Sequence, residues 1–156
     1  MNAIRKACES LSLHWKYPLT LRPEQRQAVG ALLQGRDVLP ILPKGYGKSM
    51  IFQVYVAAAA LKVKEHQTVL VVCPLGSIIY DQIEEAKGMG MSAASLSDVT
   101  DDYLRSVTFQ LLFAPVEKVI DNRFLDMLKD GTALHRNVAA VVVHECHTVE
   151  TWTGKR

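Results

Sequence analysis

Leu39-Pro40-Ile41-Leu42-Pro43-Lys44-Gly45-Tyr46-Gly47-Lys48-Ser49-Met50 is built like a phosphate cradle: an apolar, strand-like run leads into a tight glycine turn, and a helix-like run follows. Gly45 and Gly47 can take positive φ and carry no side chain, so the N–H groups of such a turn converge on an anion at the start of the next helix. Lys48 then supplies a mobile positive charge for the β- and γ-phosphates of a nucleotide, and Ser49 a hydroxyl for Mg2+. The strict G-x-x-x-x-G-K-[ST] spacing is not met, because Leu42 stands at the first glycine position. A G-K-S triplet alone would read as a solvated turn. What gives it meaning here is its place between a strand signal and a helix signal.

Working outward from the cradle, buried-strand runs alternate with helical stripes. Toward the N-terminus, Ile4, Ala7, Cys8 and Leu11 predict a short amphipathic helix, ended by His14-Trp15-Lys16-Tyr17-Pro18. Pro23 fits a first helical position, and the stripe Ala28, Val29, Leu32, Leu33 stops at Gly35. Val38–Leu42 is the first predicted strand. On the other side, Ile51, Val54, Tyr55, Ala58 and Leu61 predict a helix opening at Ser49. Further strands are predicted at Thr68–Cys73, Met91–Leu96, Thr108–Phe113 and Val138–Val143. Helices are predicted at Ser77–Lys87, near Asp98, Asp101 and Asp102, and at Val116–Leu128, with Gly131 closing the last. Strands alternating with helices at this spacing predict right-handed βαβ units and a parallel α/β sheet, with ligands at the strands' C-terminal ends.

Composition bounds the partners. The 156 residues are enough for one domain with a real core, and the formal charge is only +2. Residues 1–50 hold eight Lys/Arg against three Asp/Glu, and residues 51–156 hold ten against thirteen. The positive excess therefore lies on the half that carries the cradle, which suits a polyanionic partner and equally a solvated basic face. Cys8, Cys73 and Cys146 are widely spaced and odd in number, which argues against a disulfide framework and for an intracellular, reduced setting. No apolar run approaches the ~18 residues of a membrane span, and no secretory leader is expected.

A phosphate cradle needs an acidic partner at the end of another buried strand, and Val141-Val142-Val143-His144-Glu145-Cys146-His147 is where one is found. Glu145 is placed to orient an attacking water and to assist with the metal. His144 stands where an aspartate for Mg2+ belongs, and an imidazole offers a softer nitrogen and no negative charge to a hard cation. A zinc site from His144, Cys146 and His147 is disfavoured: Thr148 breaks H-E-x-x-H, and no C-x-x-C pair exists.

With these residues in view, the chain resembles the first RecA-like domain of superfamily 2 helicases of the DEAD/DEAH type, most closely the RecQ DNA helicases, from about Leu19 to Trp152. Leu21-Arg22-Pro23-Glu24-Gln25 is similar to motif 0, which implies adenine recognition by Arg22 and Gln25, with Tyr17 as a stacking residue. Leu42–Ser49 is similar to motif I, usually P-T-G-x-G-K-S, with Lys44 in place of the threonine. The implied nucleotide-binding set is Arg22, Gln25, Pro43, Lys44, Gly45, Tyr46, Gly47, Lys48 and Ser49, with Lys48 and Glu145 catalytic and Ser49 and Glu145 at the metal. Cys73–Gln82 is similar to motif Ia, implying DNA contact by Pro74, Ser77, Asp81 and Gln82. Ala114–Lys118 loosely resembles motif Ib, His144–His147 stands at motif II, and Trp152 takes the tryptophan place of the loop that couples DNA contact to ATP turnover.

The resemblance implies a three-layer parallel sheet of the RecA-like P-loop NTPase class, incomplete at the C-terminus. Residues 1–20 are read as a leading helix and loop, and residues 21–156 as the core through motif II. ATP and Mg2+ are the implied cofactors, DNA the implied partner, and the setting intracellular, nuclear in a eukaryote. Motif III and a second RecA-like domain with its arginine finger are absent from the sequence, so the chain alone is not expected to unwind DNA. Two readings stay open: the ATP-binding domain of a RecQ-like helicase, and a degenerate, non-catalytic module that binds nucleotide, nucleic acid or a protein partner.

Overall fold

The computed structural model describes residues 2–15, 18–43, 45–73, 76–106, 108–129 and 133–144. The sheet is four-stranded and parallel throughout, built from β1 (Thr68–Cys73), β2 (Ala93–Ser95), β3 (Leu111–Pro115) and β4 (Val138–Val143) in the order β2-β3-β1-β4. β1 is central and all six of its residues are buried, which is why T-V-L-V-V-C is continuously apolar rather than alternating.

Alternate residues of the strands feed two separate cores. Val69, Val71, Cys73, Leu111 and Phe113 face one way, toward α1 (Ala3–Ser12), α2 (Pro23–Leu33), α3 (Lys48–Val63) and α4 (Ile79–Gly88). Leu70, Val72, Leu112 and Ala114 face the other way, against Leu104 of α5 (Asp101–Ser106) and Phe124 and Met127 of α7 (Asn122–Lys129), which follows the short α6 (Val116–Val119). The result is the expected three-layer α/β arrangement of a RecA-like P-loop domain. The last helix among the described residues, α8 (Ala133–Asn137), runs directly into β4 and is not among the helices expected from the sequence.

Several expectations are corrected. Val38–Leu42 takes no regular secondary structure and joins no strand of the sheet. Pro40 has no N–H to give a ladder, Pro43 removes another just beyond, and Leu39 and Ile41 are 70% and 86% exposed. Only Val38 and Leu42 pack on the core. The strand expected at Thr108–Phe113 lies at Leu111–Pro115, while Phe109 leads into it with its carbonyl accepting from Thr68 Oγ1 at 2.6 Å. The single helix expected over Val116–Leu128 is two, broken at Ile120 and Asp121, and Ile120 is exposed. Asp121 Oδ1 accepts the Arg123 N–H at 2.8 Å and restarts the chain as α7, a local cap that competes with helix continuation. Likewise α5 opens at Thr100, whose Oγ1 accepts the Tyr103 N–H at 3.1 Å; Asp98 instead accepts the Tyr80 hydroxyl.

Candidate nucleotide-binding site

The glycine turn meets the first requirement of the cradle. Gly45 and Gly47 have φ of +79° and +76°, and Gly47 is the N-cap of α3, so the helix opens with its unpaired N–H groups at the turn. Lys48 and Ser49 are the first two helical residues and are half-buried. Pro43 is exposed and its carbonyl accepts the Tyr46 N–H at 3.2 Å, closing the turn. Lys44 lies outside the described residues.

The motif 0 residues hold this turn from beneath. Gln25, only 4% exposed, donates through Nε2 to the carbonyls of Tyr46 (3.0 Å) and Gly47 (2.8 Å), and its Oε1 accepts the Arg22 N–H at 2.7 Å. The Arg22 guanidinium lies 4.2 Å from the centre of the Tyr46 ring, and the Tyr46 hydroxyl donates to Glu24 Oε2 at 3.0 Å. Arg22, Glu24, Gln25 and Tyr46 thus form one cluster joining the start of α2 to the turn. The participation of Glu24 was not legible in the sequence, since it depends on a contact 22 residues away.

Opposite the turn, the chain leaves β4 at His144. Its N–H continues the ladder to Val72 O at 2.9 Å, and its ring, 8% exposed, stands edge-on to Phe52 with centroids 5.8 Å apart at 81°. Phe52 belongs to α3 and also meets Phe113 of β3, at 6.3 Å and 71°. The aromatic pair brings the end of β4 beside the helix that carries Lys48 and Ser49. Glu145 and Trp152 lie outside the described residues. For a nucleotide, the residues present fit: two left-handed glycines, a helix start and a lysine. For Mg2+, the Ser49 hydroxyl fits, and His144 brings a nitrogen donor where an oxygen donor would suit the ion better. Among the described residues no group of three or more His, Cys, Asp and Glu side chains is placed to hold a metal.

The motif Ia residues lie at the end of β1. Pro74 and Leu75 are outside the described residues; Ser77 is exposed on a short 3₁₀ turn (Gly76–Ile78), and Asp81 is exposed on α4. Gln82 is partly buried, and its Oε1 is buried without a hydrogen-bond partner among the described residues. Burial pushes the Cys73 thiol at the strand end up to about 11, which keeps it protonated and inert near neutrality.

The sequence model of the DEAD/DEAH box helicases matches residues 22–156 of the chain. The chain belongs to this family. The helicase domain is 31% identical over 142 residues to the ATP-dependent helicase SGS1 of Saccharomyces cerevisiae, covering 84% of this chain and 10% of that protein. It is 27% identical to the ATP-dependent DNA helicase RecQ of Pasteurella multocida, over 85% of this chain and 21% of that one. To the RecQ-like DNA helicase BLM of Xenopus laevis it is 28% identical, over 89% and 11%. The likeness to RecQ-type helicases holds for most of the chain, which spans between a tenth and about a fifth of these relatives. No helix among the described residues is long and apolar enough to cross a membrane.

Proposed function

We propose that this helicase domain binds ATP at the Gly45–Ser49 turn and DNA along the motif Ia segment, as part of a RecQ-like, ATP-dependent DNA helicase. One observation carries the reading: two glycines in the left-handed region deliver the chain into the start of α3, with Lys48 and Ser49 as its first residues, beside the end of β4. In this reading Lys48 neutralises the phosphates, Ser49 and Glu145 serve Mg2+, Glu145 orients the attacking water, and Ser77, Asp81, Gln82, Pro74 and Trp152 meet DNA. A second RecA-like domain is the partner required for unwinding, so the 156 residues alone bind without unwinding. The setting is intracellular, and nuclear if the source is eukaryotic.

His144 favours a second reading for turnover. With a nitrogen donor packed on Phe52 at the place of a metal-directed carboxylate, the domain is a nucleotide-binding module of low or no hydrolytic activity. Titration of a fluorescent ATP analogue, with and without Mg2+, tests the proposal. Saturable binding is expected, and its absence under both conditions would remove the nucleotide site.

A further inference from the structure

We propose that Tyr55 is a positioning residue that sets the register of β4: its hydroxyl holds a one-residue bulge at Ala139, and that bulge turns His144 toward α3. What His144 then does for a nucleotide rests on the reading of the glycine turn as a nucleotide site; the register itself does not.

The bulge lies in the ladder between β1 and β4. Thr68 pairs with Val138, but Val69, the next residue of β1, pairs with Ala140, so Ala139 has no opposite residue. An extra residue of this kind is rare in a parallel pair. From Ala140 onward the pairing is regular: Leu70 with Val141, Val71 with Val142 and Val72 with Val143. Residues in register share a face, and Val69 and Val71 face the core that α3 covers. Ala140 and Val142 therefore pack on that core and the His144 ring meets Phe52, while Val141 and Val143 turn the other way and are exposed.

Without the bulge every one of these side chains changes face. Carried on from the Thr68–Val138 pair with no extra residue, the strand would set Ala139 opposite Val69 and Val141 opposite Val71. Val141 and Val143 would then point inward in place of Ala140 and Val142, and His144 would point away from Phe52. The run V-A-A-V-V-V does little to prevent this, because it is apolar at every position and a slip by one residue exposes no polar group to the core. The choice has to come from outside the strand.

Tyr55 reaches the bulge itself. Its side chain is buried, and its hydroxyl donates to the Ala139 carbonyl over a long 3.4 Å. Burial pushes the phenol pKa up, so the hydroxyl keeps its proton and stays a donor. A buried phenol needs an acceptor, and the bulge presents one. Three residues earlier on the same face of α3, Phe52 meets the His144 ring. One face of the helix that begins at the glycine turn thus grips β4 at its bulge and at its end.

The test reads the register by thiol labelling and peptide mass spectrometry. Val141→Cys and Val142→Cys are each labelled in the otherwise native chain and together with Tyr55→Phe, which keeps the ring and loses the hydroxyl. With Tyr55 present, Val141→Cys should label fast and Val142→Cys should be protected. With Tyr55→Phe, the protection of Val142→Cys relative to Val141→Cys should fall by about fivefold, the effect of one lost hydrogen bond on the balance of two registers. Deleting Ala139 removes the extra residue, so the observed pairing from Ala140 onward no longer needs a bulge. The deletion should restore protection in the Tyr55→Phe background, a rescue that a general loosening of the fold would not show. Unchanged protection in Tyr55→Phe overturns the inference, and so does a loss that the deletion leaves in place. Should the deletion not fold, the ratio in Tyr55→Phe alone decides. ATP titration of the wild type is read separately: if it binds no ATP, the nucleotide reading falls and the labelling ratio still decides the register.

Discussion

His144 and Phe52 meet edge to face, 5.8 Å between ring centres, and this contact ties the last residue of the β4 ladder to the helix behind the glycine turn. The histidine is therefore part of the packing between the end of β4 and α3 as well as, in the proposed reading, a change in donor type. His144→Asp separates the two roles. A carboxylate in a place that is 8% exposed and beside Phe52 loses the ring contact and is poorly solvated, so the ligand-free domain should lose about 1–3 kcal/mol. With nucleotide bound, Mg2+ should now raise the melting temperature where it adds little in the wild type. Thermal melts with ATP, with and without Mg2+, measure both; an unchanged metal response would place the histidine outside the metal's reach.

Lys48→Ala should leave the fold intact and weaken ATP by at least about tenfold, since the lysine is half-buried at a helix start and carries the positive charge there. Fluorescence titration gives the affinity and circular dichroism the fold. Equal affinity of the two proteins would mean that the phosphates bind elsewhere.

Cys73 sets a limit in alkali. Its thiol is raised to about 11 by burial, against 9.0 for the free group, so the folded state keeps the proton longer than the unfolded one. The contribution of that proton is complete below pH 9 and is lost as pH rises from 9 toward 11. Urea midpoints should fall across this window, and the fall should be smaller in Cys73→Ala. A thiol reagent at pH 8 should not modify Cys73 in the native protein, which mass spectrometry would read.

The outer face of β4 carries Val141 and Val143, in register with Leu70 and Val72, on the side packed elsewhere by α5 and α7. Both valines are exposed, and Ile41 is exposed on the unpaired run before the turn. Val141→Lys should change stability by no more than about 0.5 kcal/mol and should lower self-association at high concentration. Light scattering across a dilution series measures it; a loss of several kcal/mol would show that the side chain is covered in solution.

The DNA binding proposed for the motif Ia segment and the basic N-terminal half should weaken with added salt, with a slope that counts the phosphates neutralised by lysine and arginine. Fluorescence anisotropy with a single-stranded oligonucleotide at several salt concentrations gives that slope. Salt-insensitive binding would point away from backbone contact.

The runs Thr68–Cys73 and Val138–Val143, the stripe of α3 and the glycine turn were legible because each rests on local chemistry: β-branched runs, 3.6-residue periodicity and glycines free to take positive φ. The parallel α/β class followed from their alternation. What failed was where a local competitor outranked the period. Pro40 and Pro43 kept Val38–Leu42 out of the ladder, and the Asp121 cap divided one apolar stripe into two helices. In the site, residue types were readable and their employment was not. The engagement of Gln25 with two carbonyls more than 20 residues away depends on how α2 lies against α3. The His144–Phe52 contact joins residues far apart in the sequence. Sequence by itself determined which groups are available for phosphate chemistry, because side-chain type and turn propensity are local properties. Tertiary structure alone decided which of those groups are already paired, because hydrogen bonds and ring contacts across the chain exist only once the layers have packed.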